Sequence, residues 1–159
     1  MIWTRTGQLA KDQNGSQLVE AALVMIPLFA TLFLLIDVSW SIFVKATLQA
    51  AVREGARYAM TGSTAGSSGQ LASVKSVVQN YAMGLLDGSQ SGTITVQFYA
   101  PDTMALSNSN QGGNLVVVSV VNYAFVPLAP FMHSGSTVLL TVRSGDRLET
   151  LPGGAAPAL

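Results

Sequence analysis

Gly15, Ser16 and Glu20 stand at the start of a long apolar run, and their spacing allows one specific piece of chemistry. If the chain is cut after Gly15, Ser16 becomes the first residue and carries a new ammonium group, which is mostly charged at neutral pH. Glu20 is then the fifth residue, one helical turn away on the same face. The ammonium can therefore offset part of the cost of burying the Glu20 carboxylate. The alternative is that Glu20 is a helix-start acid favoured by the helix dipole.

The other residues with chemical side chains form no recognisable catalytic or metal-binding pattern. The chain has no cysteine, and its single histidine, His133, lies in a proline-rich segment without a cluster of acidic ligands. The spacing of Asp102, Asn108 and Asn110 does not match an EF-hand loop. Eight basic and eight acidic side chains cancel and are scattered, so there is no basic patch for nucleic acid. We expect no enzyme activity, no metal or other cofactor, and no small-molecule substrate.

The element that carries these residues has the composition of a membrane anchor. Charged residues make up only 10% of the chain, and none occurs from Ala21 to Ile36. Extended to Trp40, the run has twenty residues after Glu20 and spans about 30 Å as a helix, enough to cross a bilayer core. Membrane helices tolerate a proline such as Pro27. We expect Trp40 at the membrane interface and Asp37 one turn deeper, within reach of headgroup water. The alternative for Asp37 is that it is a buried partner.

The charges before the run predict its orientation. Arg5, Lys11 and the amino terminus outweigh Asp12, so the positive-inside rule keeps residues 1–15 in the cytoplasm and sends the rest of the chain across. A cleaved secretory signal would have a shorter apolar core of about 7–15 residues, followed by a small-residue cleavage site. The run here is longer and has no such site, which favours a retained single-pass anchor.

The remaining pattern predicts an α+β protein with a long N-terminal helix and a small domain outside the membrane. The transmembrane and stalk helix covers 16–60, and the glycine- and serine-rich segment 61–69 is a linker. Within the domain, 70–149, apolar periodicity predicts an amphipathic helix over 70–86. Alternating or β-branched runs predict an antiparallel sheet of about three strands. The strands cover 93–99, 114–126 and 136–144, with a loop over 100–113 and a flexible tail over 150–159.

A family resemblance gives these features a common meaning. The segment "GSQLVEAALVMIPLFATLFLLIDVSWSIFVKATLQAAVREGARYA" (15–59) resembles the TadE-like family of the tight-adherence (Tad/Flp) pilus systems. The similarity lies in Gly15 with Glu20 five residues on, in Pro27, in Asp37 late in the run, and in "AAVREGARYA" at the end of the helix. The leader departs from the pattern of such precursors, because it has only two basic residues and also carries Asp12.

The resemblance implies a structural role. Members are similar to pseudopilins or minor pilins of the bacterial inner membrane: a prepilin peptidase processes them, and they support assembly of a type IV pilus used in adhesion. Whether the protein enters the filament or only primes assembly stays open. The small residues near Gly55 predict close approach to another pilin-like subunit. The predicted subunit contact comprises Glu20, Pro27, Arg53, Glu54, Gly55 and Arg57, and the alternative for Arg53 and Arg57 is a solvated helix face. The alternative is an unprocessed, signal-anchored module that displays a binding domain.

Overall fold

The computed structural model describes residues 14–64, 69–88, 92–127, 137–150, 154 and 156–159. It confirms the predicted α+β architecture: a long N-terminal helix, a second short helix and an antiparallel sheet. Most of the predicted leader, half of the linker, His133 and part of the predicted tail lie outside the described residues. The elements are α1 (Asn14–Met60), α2 (Gly69–Tyr81), β1 (Thr93–Tyr99), β2 (Leu106–Ser107), β3 (Leu115–Phe125) and β4 (Val138–Arg147).

Helix α1 is a single rod of 47 residues, about 70 Å long. It continues through Pro27 and ends where glycine permits a left-handed residue. Gly62 has a φ of 62°, and its N–H donates to the carbonyl of Ala59 at 3.1 Å. This geometry satisfies one of the carbonyl groups that a helix end leaves open. The predicted end of the helix near Met60 is therefore confirmed.

Helix α2 is shorter than its apolar pattern predicts. The prediction extended to 86, but the regular helix ends at Tyr81. Met83 and Gly84 both have positive φ, of 53° and 80°, which interrupts the helical backbone. Leu86 still reaches the core, but from the turns that follow the helix. The periodicity thus predicted the existence of the helix correctly but placed its end five residues too late, and Tyr81, predicted on the apolar face, is 55% exposed.

The sheet has four strands in the order β2-β1-β3-β4, all neighbours antiparallel, rather than about three. Strand β1 occupies the predicted range, and β3 lies within its predicted range. The additional strand is β2, a two-residue strand inside the segment predicted as a loop, and its Ser107 pairs with Phe98 of β1. Strand β4 continues three residues beyond its predicted end, to Arg147.

A bulge in β3 keeps its apolar side chains on the helix side of the sheet. Val120 pairs with Val142, but the next pair in β4 is Tyr123 with Leu140, so β3 carries one extra residue between these pairs. Asn122 takes the left-handed conformation there, with a φ of 58°, which asparagine tolerates better than most residues. Side chains alternate between the two faces of a strand, so the extra residue shifts the inward-facing positions from even-numbered residues before the bulge to odd-numbered residues after it.

The core lies between the helices and one face of the sheet. The distal half of α1, from Val44 to Met60, packs on α2, β3 and β4. Helix α2 also packs on β1. This face of the sheet is mainly valine, and burial of such side chains contributes about 1.5–3 kcal/mol each. Burial also raises the pKa of Tyr123 at the end of this face. The core residues of α1 and the sheet are Val44, Leu48, Ala51, Val52, Ala56, Ala59, Phe98, Val116, Val118, Val120, Tyr123, Phe125 and Val142.

Candidate functional site

The predicted processing site lies at the exposed start of α1. Gly15, Ser16 and Glu20 all have helical backbone and exposed side-chain positions. Ser16 and Glu20 are four residues apart and therefore share one face of the helix. A helix dipole stabilises an acid in the first turn of a helix. Since α1 begins at Asn14, Glu20 lies beyond that turn. This placement weakens the interpretation of Glu20 as a helix-start acid.

Nothing in the described part of the fold requires a glycine at position 15. A Cβ built on it meets nothing within 4 Å, and its φ is not positive. A glycine inside a helix costs about 1 kcal/mol relative to alanine, so local stability does not explain this residue. A requirement imposed by another molecule is consistent with this position.

The following half of α1 is apolar on every side. No residue from Leu18 to Ile36 is buried against the described part of the chain. This helix is the one described helix that is long and apolar enough to cross a membrane. Two of its hydroxyl groups bond within the helix: Thr31 Oγ1 donates to the carbonyl of Pro27 at 2.8 Å, and Ser39 Oγ donates to that of Leu35 at 2.7 Å. Internal bonding of this kind is what a hydrocarbon environment requires.

The structure buries Asp37, which contradicts the exposed position expected for it and favours the alternative of a buried residue. Its exposed fraction is only 5%. A cavity of about 240 Å³ beside it is lined by both α1 and the sheet: Asp37, Val38, Ser41, Ile42, Phe125, Pro127 and Val138. The ends of β3 and β4 therefore cover this side of the helix at the level of Asp37. Sequence reasoning missed the contact because it joins residues about ninety positions apart.

Trp40, by contrast, is exposed as an interfacial aromatic should be. Its ring stacks on that of Phe43, with the ring centroids 5.3 Å apart. The first core residue of α1, Val44, follows immediately. The aromatic pair thus marks the junction between the exposed and the buried halves of the helix.

The structure divides the predicted stalk contact into an accessible and an occupied part. Arg53 and Arg57 are exposed, four residues apart on one face of α1, and Glu54 is half-buried between them. Gly55 is buried inside the domain, where a Cβ would lie 2.5 Å from Cγ2 of Val78. The close helix approach that the small residues predict is therefore the packing of α1 on α2 in the same chain. Gly55 is not accessible to a second subunit.

A buried polar network that sequence reasoning missed holds the far end of the domain. Gln70 Nε2 donates to the carbonyl of Ala59 at 2.9 Å, and Asn110 Nδ2 donates to Gln70 Oε1 at 2.7 Å. Asn110 Nδ2 also donates to the carbonyl of Pro157, and the N–H of Gln70 donates to the carbonyl of Ala158. Asn110 thus has a structural role, through its side-chain amide NH₂ group. Residues 156–159, part of the predicted flexible tail, lie against the start of α2.

The described residues contain no group of three or more His, Cys, Asp or Glu side chains that could hold a metal ion. The residues predicted to act on other molecules all lie on α1: they are the Gly15–Ser16 peptide bond, the Glu20 carboxylate and the Arg53 and Arg57 guanidinium groups. They are distributed along about 60 Å of one helix and do not converge. This arrangement suits contacts with other macromolecules along the helix rather than a small-molecule site.

Comparison with known proteins identifies one family. The family model described as "TadE-like protein" matches residues 15–57, which confirms the resemblance over that segment of α1. No curated protein and no solved structure matches the chain. The matched segment includes Gly15, Glu20, Pro27 and both stalk arginines, and it ends just before the residues that connect α1 to the rest of the domain.

Proposed function

We propose that this chain, whose residues 15–57 match the TadE-like family, is a pseudopilin or minor pilin that supports assembly of a Tad-type pilus used in surface adhesion. The observation that carries the proposal is the membrane half of α1. It presents an apolar surface on all sides and a carboxylate at its start, and no described part of the chain covers either. A helix of this kind acts through lipid and through neighbouring helices. No enzyme activity is part of the proposal.

The proposed first step is cleavage between Gly15 and Ser16 by a prepilin peptidase on the cytoplasmic side of the bacterial inner membrane. Cleavage leaves the Ser16 ammonium one turn from the Glu20 carboxylate. When helices assemble and water is lost, the two charges can satisfy each other within one subunit or between neighbours. Processing thereby supplies the positive charge that Glu20 needs in a bundle. The domain outside the membrane moves with the helix, because α1 forms part of its core.

The proposed contact with other pilin-like subunits has two regions on α1. One is the membrane half, with Glu20 and Pro27. The other is the exposed face of the stalk with Arg53 and Arg57, whose planar guanidinium groups can donate paired hydrogen bonds to a carboxylate of a neighbour. Glu54, half-buried between them, lies at the margin of this face. Gly55 is left out of the contact, since its packing within the domain occupies it.

The test of the proposal is the intact mass of the membrane-bound protein from a host that has its own prepilin peptidase. We expect a mature form that begins at Ser16. Gly15→Val should leave an uncut form that is heavier by the leader, because a side chain at the cut obstructs the peptidase. Gly88→Val is the matched control, since Gly88 also has open space around it, and it should be processed normally. Wild-type protein that retains Met1 would contradict the proposal and favour the unprocessed, signal-anchored binding module.

A further inference from the structure

The end of the domain formed by the last residues of β3 and the first residues of β4 lies beside the middle of α1. Phe125, Pro127 and Val138 line the same cavity as Asp37 and Ile42. The opposite end of the sheet lies beside the far end of α1, where the N–H of Glu149 donates to the carbonyl of Met60 at 3.1 Å. The sheet therefore has a proximal end, at the level of residues 37–43, and a distal end.

The two ends of the sheet differ in charge. At the distal end, acidic and basic side chains are exposed, namely Asp102, Asp146, Arg147 and Glu149. At the proximal end, the described residues 124–127 and 137–140 include no charged side chain. Large apolar side chains are instead exposed there, namely Val126 just after β3, Val138 and Leu139 on β4, and Trp40, Ile42 and Phe43 on α1. We call these six residues the apolar collar.

The collar continues the apolar surface of the anchor. Large apolar side chains are exposed on α1 from Leu18 to Phe43, and the first exposed cation above them is Lys45. Twenty-six residues of helix rise about 39 Å, which exceeds a hydrocarbon core of about 30 Å and approaches the roughly 40–45 Å of a bilayer with its headgroup layers. The upper part of this band, at Trp40 and Phe43, then lies at headgroup depth, where aromatic side chains are enriched.

We propose that the apolar collar is a lipid-binding surface that seats the domain in the headgroup layer of the bilayer. The proposal rests on the membrane anchoring that is part of the proposed function. It explains why strand ends cover Asp37: at this depth, Phe125 and Pro127 separate the carboxylate from lipid. It also explains why the uncharged end of the sheet is the one beside the anchor. Lipid binding by the collar fixes the height and tilt of the domain relative to the bilayer before any contact with another subunit forms.

The chain has no cysteine, so single cysteines can be labelled uniquely in the full-length protein with an environment-sensitive fluorophore. Leu139→Cys reports on the collar. Leu106→Cys is a matched control, because both are strand leucines with similar exposed fractions, 59% and 62%, at opposite ends of the sheet. Leu23→Cys reports on the anchor itself. Each protein is reconstituted in vesicles of phosphatidylethanolamine and phosphatidylglycerol.

We expect lipid-attached nitroxide quenchers to reduce emission at positions 23 and 139 but not at 106, and aqueous iodide to quench only 106. Emission from 139 should also be shifted to the blue relative to 106. If iodide quenches 139 as strongly as 106 while lipid quenching at 23 is intact, the collar does not bind lipid, and membrane anchoring by α1 still holds. Protection of 139 from both quenchers would mean that protein covers the collar, which also contradicts lipid binding there. Loss of lipid quenching at 23 would contradict both membrane anchoring by α1 and lipid binding by the collar.

Discussion

The two halves of α1 are one continuous helix, yet they are built for different surroundings. In the distal half, buried residues such as Val44, Leu48, Val52 and Ala59 recur at helical spacing and form one stripe, while Arg53 faces solvent. In the membrane half, apolar side chains occur on all sides and none is buried in the described chain. An apolar stripe finds its partner within the chain, whereas a helix that is apolar all round requires lipid or other helices.

The two carboxylates of the rod show the same difference. Asp37 lies where the halves meet, and the domain covers it with the ends of β3 and β4. Glu20 lies at the start of the membrane half and is exposed. What surrounds Asp37 is therefore determined by the fold of this chain, while what surrounds Glu20 is determined by the membrane and by assembly. The comparison separates residues that stabilise the domain from residues that act between molecules.

The largest effect on the domain is expected from shortening a leucine in the buried half. Leu48→Ala removes a fully buried side chain, and we expect the free energy of unfolding to fall by about 2–5 kcal/mol. Leu28→Ala is the matched change in the exposed half of the same helix. It should change domain stability by less than about 0.5 kcal/mol. Thermal unfolding of both full-length variants in detergent, followed by near-ultraviolet circular dichroism, measures the difference. Equal destabilisation would show that the halves are not distinct.

A small effect on the domain is expected at the stalk arginines. Arg53→Ala with Arg57→Ala removes exposed side chains and should change domain stability by no more than about 0.5 kcal/mol, as should Lys75→Ala on the exposed face of α2. In piliated cells, however, a photo-crosslinking amino acid at 53 or 57 should capture another pilin-like subunit, and one at 75 should not. Recovery of monomer alone from all three positions would contradict the proposed stalk contact.

The elements of the fold were predictable to the extent that their signals are local. The apolar run with its glycine-rich end predicted α1, and strict alternation predicted β1. Strand β2 has only two residues and no periodicity to detect. The bulge at Asn122 depends on pairing with β4, and the valines on both faces of β3 hide the change of parity in the sequence.

The candidate site was predictable in part for the same reason. The spacing of Gly15, Ser16 and Glu20 is local, and the structure places all three on the exposed start of α1. The environments of Asp37 and Gly55 are set by elements distant in sequence. Small residues at the end of a helix favour close packing, but they do not say whether the neighbour is α2 of the same chain or a helix of another subunit.

The smallest effect on the domain, and the most direct test of the proposed assembly role, is expected from Glu20→Ala. The change lies outside the core, so the protein should fold, insert and be processed as the wild type. In an assembled bundle it leaves the Ser16 ammonium without its carboxylate, a loss of about 3–5 kcal/mol if the pair is fully buried and less at an interface. Glu20→Asp keeps the carboxylate with a shorter reach and should be intermediate.

The measurement is a paired one on the same cells: an immunoblot for the mature protein in the membrane, and electron microscopy to count pili. The account predicts normal amounts of mature Glu20→Ala protein with few or no pili, and an intermediate count for Glu20→Asp. Normal piliation by the Glu20→Ala cells would contradict it, because Glu20 would then have no role between subunits.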